Sequence, residues 1–429
     1  MGVVPCAPRE TLVLLLPVAS SEGTTSLWRN RDFTLLESGR LLSMVGSQST
    51  TIAYTLLTLE LTGSAAKAGL VTFAQILPFA LFGLLGGMAA DRRDRKPLMI
   101  TADFLQAFLL AALAAATLLD AVEFWQILVV AAIQGACSAF YSPAASGALR
   151  SVVPPEQLPA AAGVQQARGA TVGLVGPPLG GALFGLGRAL PFVFDAISFG
   201  TSTLSLLAMR TPFQDEREVD KTPLSKQLSD GFKFLWNEPF LRTTTFLYGL
   251  SNFIGPGLLL ALVVIGDDQG LGGGTIGLLV AAFGGATLVG ALLSPLARRT
   301  FSSRTILLLE LWSWVGCAAF VVWPNVYVLA AALVITGLAI PVTDSVVVGY
   351  RLAITPDHIV GRVEGVRSSI ALIVAPLGPL LAGLLLAAGS ERLAIAVFAF
   401  FGLVLAVWGV LAPAIREIGP LSDLRDLAG

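Results

Sequence analysis

Twelve stretches of about twenty or more mostly apolar residues follow one another with short breaks, at 34–60, 65–89, 97–119, 123–149, 160–187, 189–209, 242–266, 272–297, 304–323, 326–350, 364–388 and 391–413. A helix needs roughly 20 such residues, at about 1.5 Å rise each, to cross the hydrocarbon core of a bilayer. Hydrophobic residues make up 55% of the chain and charged residues only 13%, with a mean hydropathy of +0.79. Soluble domains carry about 25% charged residues. Folded in water, this chain would expose a very large apolar area. In hydrocarbon, every backbone polar group must be satisfied internally. The sequence therefore predicts an all-α integral membrane fold of twelve transmembrane helices. The run Thr11–Ala19 is too short to span, and Arg9 is its only upstream positive charge, so it is read as a flexible leader or a mis-assigned start rather than a signal peptide.

The basic residues test this helix count. With an even number of spans, both ends lie on one side. That side then collects Arg9, Arg29, Arg31, the cluster at 92–96, Arg150, six residues from Arg210 to Arg242, and Arg298, Arg299, Arg304, Arg351, Arg362, Arg367, Arg416 and Arg425. The other side collects Lys67, Arg188 and Arg392, a ratio of about seven to one. An excess of lysine and arginine marks the cytoplasmic side, and a missed helix would have scrambled the alternation. The expected layout is a cytoplasmic leader (1–33), a six-helix bundle (34–209), a charged, amphipathic cytoplasmic linker (210–241), a second six-helix bundle (242–413) and a cytoplasmic tail (414–429).

The bundles also echo each other. Arg150 precedes Pro155-Glu156 by five residues, as Arg351 precedes Pro356-Asp357; Arg168 precedes Pro177 by nine, as Arg367 precedes Pro376. Both pairs fall at the fourth-to-fifth and tenth-to-eleventh helices, so the bundles are read as pseudo-symmetric repeats.

The other compositional signals mostly exclude. A net charge of −1 gives no basic excess for nucleic acid. Cys6, Cys137 and Cys317 are far apart, and His358 is the only histidine, so no disulfide framework, metal site or cofactor is expected. His358 is read as a solvated loop residue.

The loop after the second helix reads Gly87-Met88-Ala89-Ala90-Asp91-Arg92-Arg93-Asp94-Arg95-Lys96. It resembles the signature loop of the major facilitator superfamily, departing at Asp94, where the general pattern has glycine. The Asp-Arg-x-Asp-Arg form is similar to the branch containing macrolide-efflux proteins and the enterobactin exporter. Ala139–Ala144 at the end of the fourth helix, Gly176-Pro177-Pro178-Leu179-Gly180-Gly181 in the fifth, Phe194–Phe199 in the sixth and Gly361-Arg362-Val363 fit that branch. Many drug/proton antiporters of the family carry an arginine before the Gln-Gly pair of helix four. Here Gln134-Gly135 is present and that position is Ala131. The resemblance spans about 28–413 and implies alternating access in a monomer, with protons as coupling ion and a small organic substrate.

Gly87, Asp91, Arg92, Arg95 and Lys96 are then expected to act as a gate latch, or more plainly as topology anchors. In the latch, Asp91 meets a helix N-terminus, and Arg92 and Arg95 pair with acids across the halves in one state of the cycle. Charges inside apolar runs need a reason, because each costs about 2.5–3.5 kcal/mol at mid-helix. Glu37, Arg40, Asp103 and Glu310 lie near basic ends, where snorkelling or local salt bridges would satisfy them; Asp195 is read as either structural or functional. Arg168 and Asp344 are the candidates for substrate or proton work: a carboxylate in low dielectric loads a proton that a nearby arginine displaces. Gln48, Tyr54, Gln75, Gln106, Gln134, Tyr141 and Asn252 are either helix–helix hydrogen bonders or cavity lining, the latter suited to an amphipathic organic molecule. Gly176, Pro177, Gly180 and Gly181 read as a close, flexible packing seam.

The leading functional expectation is a proton-coupled exporter of amphipathic small molecules, drug- or siderophore-like, in the cytoplasmic membrane. The alternatives are an importer or lipid flippase on the same scaffold and, further off, a non-transporting receptor. An enzyme is not expected, since no nucleophile constellation or Cys/His cluster is present.

Overall fold

A computed structural model of the protein describes residues 27–213, 224–356 and 359–418. The leader run 11–19, His358 and the end of the tail fall outside the described residues. No strand occurs among those described.

A short 3₁₀ turn, Leu27–Arg29, leads into α1 (Arg31–Thr62). Asn30 caps α1, its side-chain oxygen accepting from the amides of Asp32 at 3.1 Å and Phe33 at 3.2 Å. Gly63, at φ +59°, ends it with a left-handed residue. Then come α2 (Ala65–Arg92), α3 (Arg95–Leu118), α4 (Phe124–Val152), α5 (Leu158–Leu186) and α6 (Leu190–Ala208). Within the charged connection lies α7 (Leu224–Asn237), an amphipathic helix too short and polar to span, and α8 (Pro239–Asp268) starts three residues earlier than expected. The rest is α9 (Gly273–Thr300), α10 (Ser303–Ser313), α11 (Ala319–Val322), α12 (Val326–Ile354), α13 (Val360–Ile373), α14 (Leu377–Ala387), α15 (Glu391–Leu411) and the short α16 (Pro413–Arg416).

Among the described residues, eleven helical stretches are long and apolar enough to cross a membrane, counting α10 to α11 as one and α13 with α14 as one. α1 is long enough at 32 residues but less apolar, because its middle carries Ser47, Gln48, Ser49, Thr50 and Thr51. Two expected spans are not single α-helices. The ninth passes through a 3₁₀ segment, Trp314–Ala318, and the eleventh breaks at residues 374–376, just before α14. Pro376 has no amide hydrogen to donate and restricts the residue before it, which accounts for the second break. The Ala139–Ala144 motif lies inside α4, which runs on through Pro143 to Val152 instead of ending there.

α1 packs on α5 and α6, α2 on α4, and α3 on α4 and α6. In the second group, α8 packs on α14 and α15, α9 on α12, and α10 on α12 and α15. The two groups meet chiefly along α5 with α9 and α2 with α14. Outward faces carry exposed leucine, phenylalanine and valine, such as Phe104, Leu204, Leu292 and Leu384, while α8 is enclosed throughout Leu260–Gly266. Trp125, Trp323 and Tyr327, near helix ends, are exposed as an interfacial aromatic belt requires.

Candidate functional site

The two seams between the helix groups set the shape of the molecule. At the end opposite the Arg92–Lys96 loop, the α5/α9 seam is so close that a Cβ on Gly181 would run into the carbonyl of Gly273. The contact continues with Gly277 on Pro177 and Gly284 on Gly173. The α2/α14 seam is as tight, with Gly69 against Pro379 and Gly383. Toward the basic end the contact stops: around Gly163 and Gly169 on α5, and Gly83 and Gly87 on α2, nothing lies within 4 Å of an added Cβ. The molecule is therefore shut at one end and parted at the other.

The expected packing stripe on α5 divides between two partners. Gly181 and Pro177 face α9, whereas Gly176 rests on Gln48 and Gly180 on the backbone of Ser49, both on α1. Ser49 also donates to the Gly176 carbonyl at 3.0 Å. Gln48 is thus half-buried beneath α5.

Three polar clusters lie among the helices. In the first, Arg168 of α5 reaches across to Glu37 of α1 in a short charge-assisted hydrogen bond, and Arg40 lies 3.6 Å from the other Glu37 oxygen. All three side chains are buried. Asp103 of α3 also acts on Arg40 and accepts from Ser202 of α6 at 2.6 Å. Glu37 Oε1, Arg40 Nε, Arg168 Nε, Asp103 Oδ1 and Tyr141 OH are buried without a hydrogen-bond partner. Buried polar groups are as a rule paired, so these atoms set the cluster apart from ordinary core. Glu37 and Arg40 are therefore not snorkelling to the surface but paired inside.

In the second cluster, Asp195 of α6 is fully buried, accepting from Thr50 at 2.9 Å, Ser198 at 3.0 Å and Gln134 at 3.3 Å; Gln134 in turn accepts from Tyr54 at 3.0 Å. This chain ties α1, α4 and α6 together. Tyr54, 1% exposed and against Phe192, is core and not cavity lining, and so is Asp103. Gln134 does border a small pocket of about 190 Å³, with Ser47, Gln75 and Ser138.

The third is a cavity of about 330 Å³ within the second helix group, lined by Tyr248, Asn252, Glu310, Trp314, Asp344 and Arg367 among others. Asp344 is open to it. Asn252 donates to the Ala371 carbonyl at 3.3 Å. Arg168 and Asp344, the two residues singled out for proton or substrate work, are thus not neighbours: each sits in its own half. Arg367, the repeat counterpart of Arg168, binds Glu364 at 2.5 and 3.1 Å, and Arg351 binds the same carboxylate at 2.8 Å. The sequence pointed to Glu310 only as a charge near a helix end. Its signal was the i, i+4 spacing to Trp314, which places the two side chains about one turn apart across the junction of α10 with the 3₁₀ segment.

In the basic loop, Asp91 and Arg92 are exposed at the parted end. Arg95 departs from the expected cross-half pairing. It is buried within the first helix group, with Nε on the Ala90 carbonyl at 3.1 Å and a terminal nitrogen on the Phe213 carbonyl at 3.2 Å. Lys96 similarly holds the Met209 carbonyl at 2.7 Å. Asp94, the departure from the loop pattern, is the N-cap of α3 and accepts from the Lys96 amide at 3.1 Å. Helix capping explains that residue locally.

The family model described as Major Facilitator Superfamily matches residues 38–299 and 243–423. Multidrug efflux pump Tap of Mycobacterium tuberculosis is 29% identical over 416 residues, covering 90% of this chain and 94% of that protein. Macrolide efflux protein A of Streptococcus pyogenes is 24% identical over 413 residues, covering 93% and 98%. In architecture the chain is similar to a bacterial homologue of the human lysosomal transporter Spinster, in an inward-facing and unoccupied conformation, with a TM-score of 0.71 at 17% identity over 92% of this chain and 98% of that one. The nucleoside transporter NupG gives 0.69 at 13% identity.

Proposed function

The chain belongs to the major facilitator superfamily, and on that premise we propose that it exports amphipathic small organic molecules by alternating access coupled to protons. One observation carries the reading: both seams are closed by backbone-to-backbone contact at one end and parted at the other, with polar pockets facing inward from each half. Two rigid groups joined by smooth glycine faces can rock, opening the ends in turn. The named activities of the relatives, multidrug and macrolide efflux, support the substrate class and the direction.

In this reading the basic end, the termini and α7 are cytoplasmic, the two groups are the six-helix bundles with α7 in the linker between them, and the protein works as a monomer in the plasma membrane. The parted arrangement is the inward-open state, in which the loop latch is released. Asp91 and Arg92 engage only when that end closes. Asp344, open to the cavity, is the proton carrier; the buried Glu37–Arg168–Arg40 cluster holds α1 to α5 while the halves move.

Asp91→Asn is expected to leave expression and thermal stability unchanged and to lower transport at least about tenfold, since the latch biases one state by differential contacts. Transport at the wild-type rate would remove the latch role. The function itself is tested by reconstituting the purified protein in liposomes with an imposed proton gradient. Accumulation of a lipophilic dye against its gradient, lost in Asp344→Asn, is the expected result; a protein that moves no solute would overturn the reading.

A further inference from the structure

We propose that the cavity of the second helix group is a binding site for an organic cation that also carries a hydrogen-bond acceptor oxygen. The proposal rests on the transport reading above and deepens it by naming a substrate class. Three observations support it.

First, two carboxylates on the cavity wall lack an ion-pair partner: Arg351 and Arg367 both bind Glu364, whereas Glu310 and Asp344 line the cavity and form no salt bridge among the described residues. Glu310 is 3% exposed; the Thr343 hydroxyl faces its carboxylate, and its Oε2 has no hydrogen-bond partner. An unpaired carboxylate in low dielectric is stable only when a positive charge or a proton comes to it. Glu310 is among the residues that line the cavity.

Second, Trp314, the first residue of the 3₁₀ segment that follows α10 and four residues after Glu310, is 2% exposed, and its indole N–H has no acceptor. A buried donor without a partner costs free energy that a ligand oxygen would recover. Gly255 on α8, whose added Cβ would lie 3.4 Å from the indole ring, keeps that flank of the ring flat and close.

Third, the walls suit the body of such a molecule. Trp314, Tyr248 and Phe283 supply aromatic surface, which attracts cations through the ring face. A cavity of about 330 Å³ lies in the range of small-molecule sites.

The two unsatisfied groups point to two separable features of the ligand, so the test uses a matched pair. Benzoylcholine carries a quaternary ammonium and an ester carbonyl; 3,3-dimethylbutyl benzoate keeps the shape and the ester and lacks the charge. Binding of each to the purified full-length protein in detergent is measured by calorimetry. The wild type is expected to prefer benzoylcholine by about tenfold or more, as a charge-assisted contact gives. Glu310→Gln should abolish that preference, leaving affinity for the neutral ester unchanged. Trp314→Phe should weaken both ligands by a similar factor of about 3 to 10.

Equal binding of the pair by the wild type overturns the proposal, and so does binding of neither. The wild-type comparison needs no variant and therefore holds even where a substitution disturbs folding. Transport of a neutral lipophilic dye in liposomes, run in parallel, separates the two claims. Dye transport without cation preference overturns only the cation site, whereas absence of all transport overturns the function.

Discussion

Replacing Gly181 with leucine is expected to abolish transport while leaving the protein folded in the membrane. At this position α5 and α9 touch backbone to backbone, with the Gly273 carbonyl where a side chain would begin. Neither helix has a flexible group there to give way, so any Cβ must push the closed end apart. Overpacking of this kind costs about 1–3 kcal/mol for a few extra methylenes in a core that can adjust, and backbone against backbone adjusts least. The penalty falls only on the state in which this end is shut. Each 1.4 kcal/mol shifts the balance between states tenfold, so the shut state should lose about one to two orders of magnitude in population. Transport in liposomes should fall accordingly, and reagents applied from that face should gain access to the cavity. Gly200→Ala on α6, where nothing lies within 4 Å, is the control. It should transport normally and gain about 0.5–1 kcal/mol in stability from helix propensity. Unimpaired transport by Gly181→Leu would mean that the seam does not need to close.

The second large effect belongs to the buried pair on α1 and α5. Arg168→Gln is expected to lower stability by about 3–5 kcal/mol, because it leaves the Glu37 carboxylate buried with only Arg40, 3.6 Å away, beside it. Glu37→Gln should be at least as costly, since two guanidinium groups then face each other. The double variant Glu37→Gln/Arg168→Gln should recover half or more of the loss, because two amides of similar shape bury no unpaired charge. Thermal unfolding of the four proteins in one detergent reads this directly. A double variant no more stable than the sum of the singles would show that the pair acts through something other than its charges.

Helix positions were legible because hydropathy in a bilayer is a strong, length-calibrated signal: α2, expected at 65–89, runs Ala65–Arg92, and α12, expected at 326–350, runs Val326–Ile354. Breaks within helices were not, since the apolar composition stays constant through Trp314–Ala318 and residues 374–376 while the backbone pairing changes. The sites were legible in part. Charges inside apolar runs flag themselves by cost, which singles out Glu37, Arg40, Asp103, Arg168, Asp195, Glu310 and Asp344. Their partners depended on which faces of α1, α5 and α6 meet, which is tertiary information. Hence Arg168 was found with Glu37 rather than near Asp344, and Arg95 on backbone carbonyls rather than an acid. Trp314 was missed because one tryptophan in an apolar run carries no sequence signal of an unpartnered N–H.

The rocking of the two halves can be measured between spin labels. With Cys6, Cys137 and Cys317 replaced, one pair is placed at Ala162 and Arg299 on the basic end, and another at Leu186 and Asp268 on the opposite end, all exposed positions. Electron–electron distances are then recorded at high and low pH in liposomes. A second population, in which the 162–299 distance shortens as the 186–268 distance lengthens, is the predicted result. Distances at both ends that stay single and unchanged would contradict alternating access.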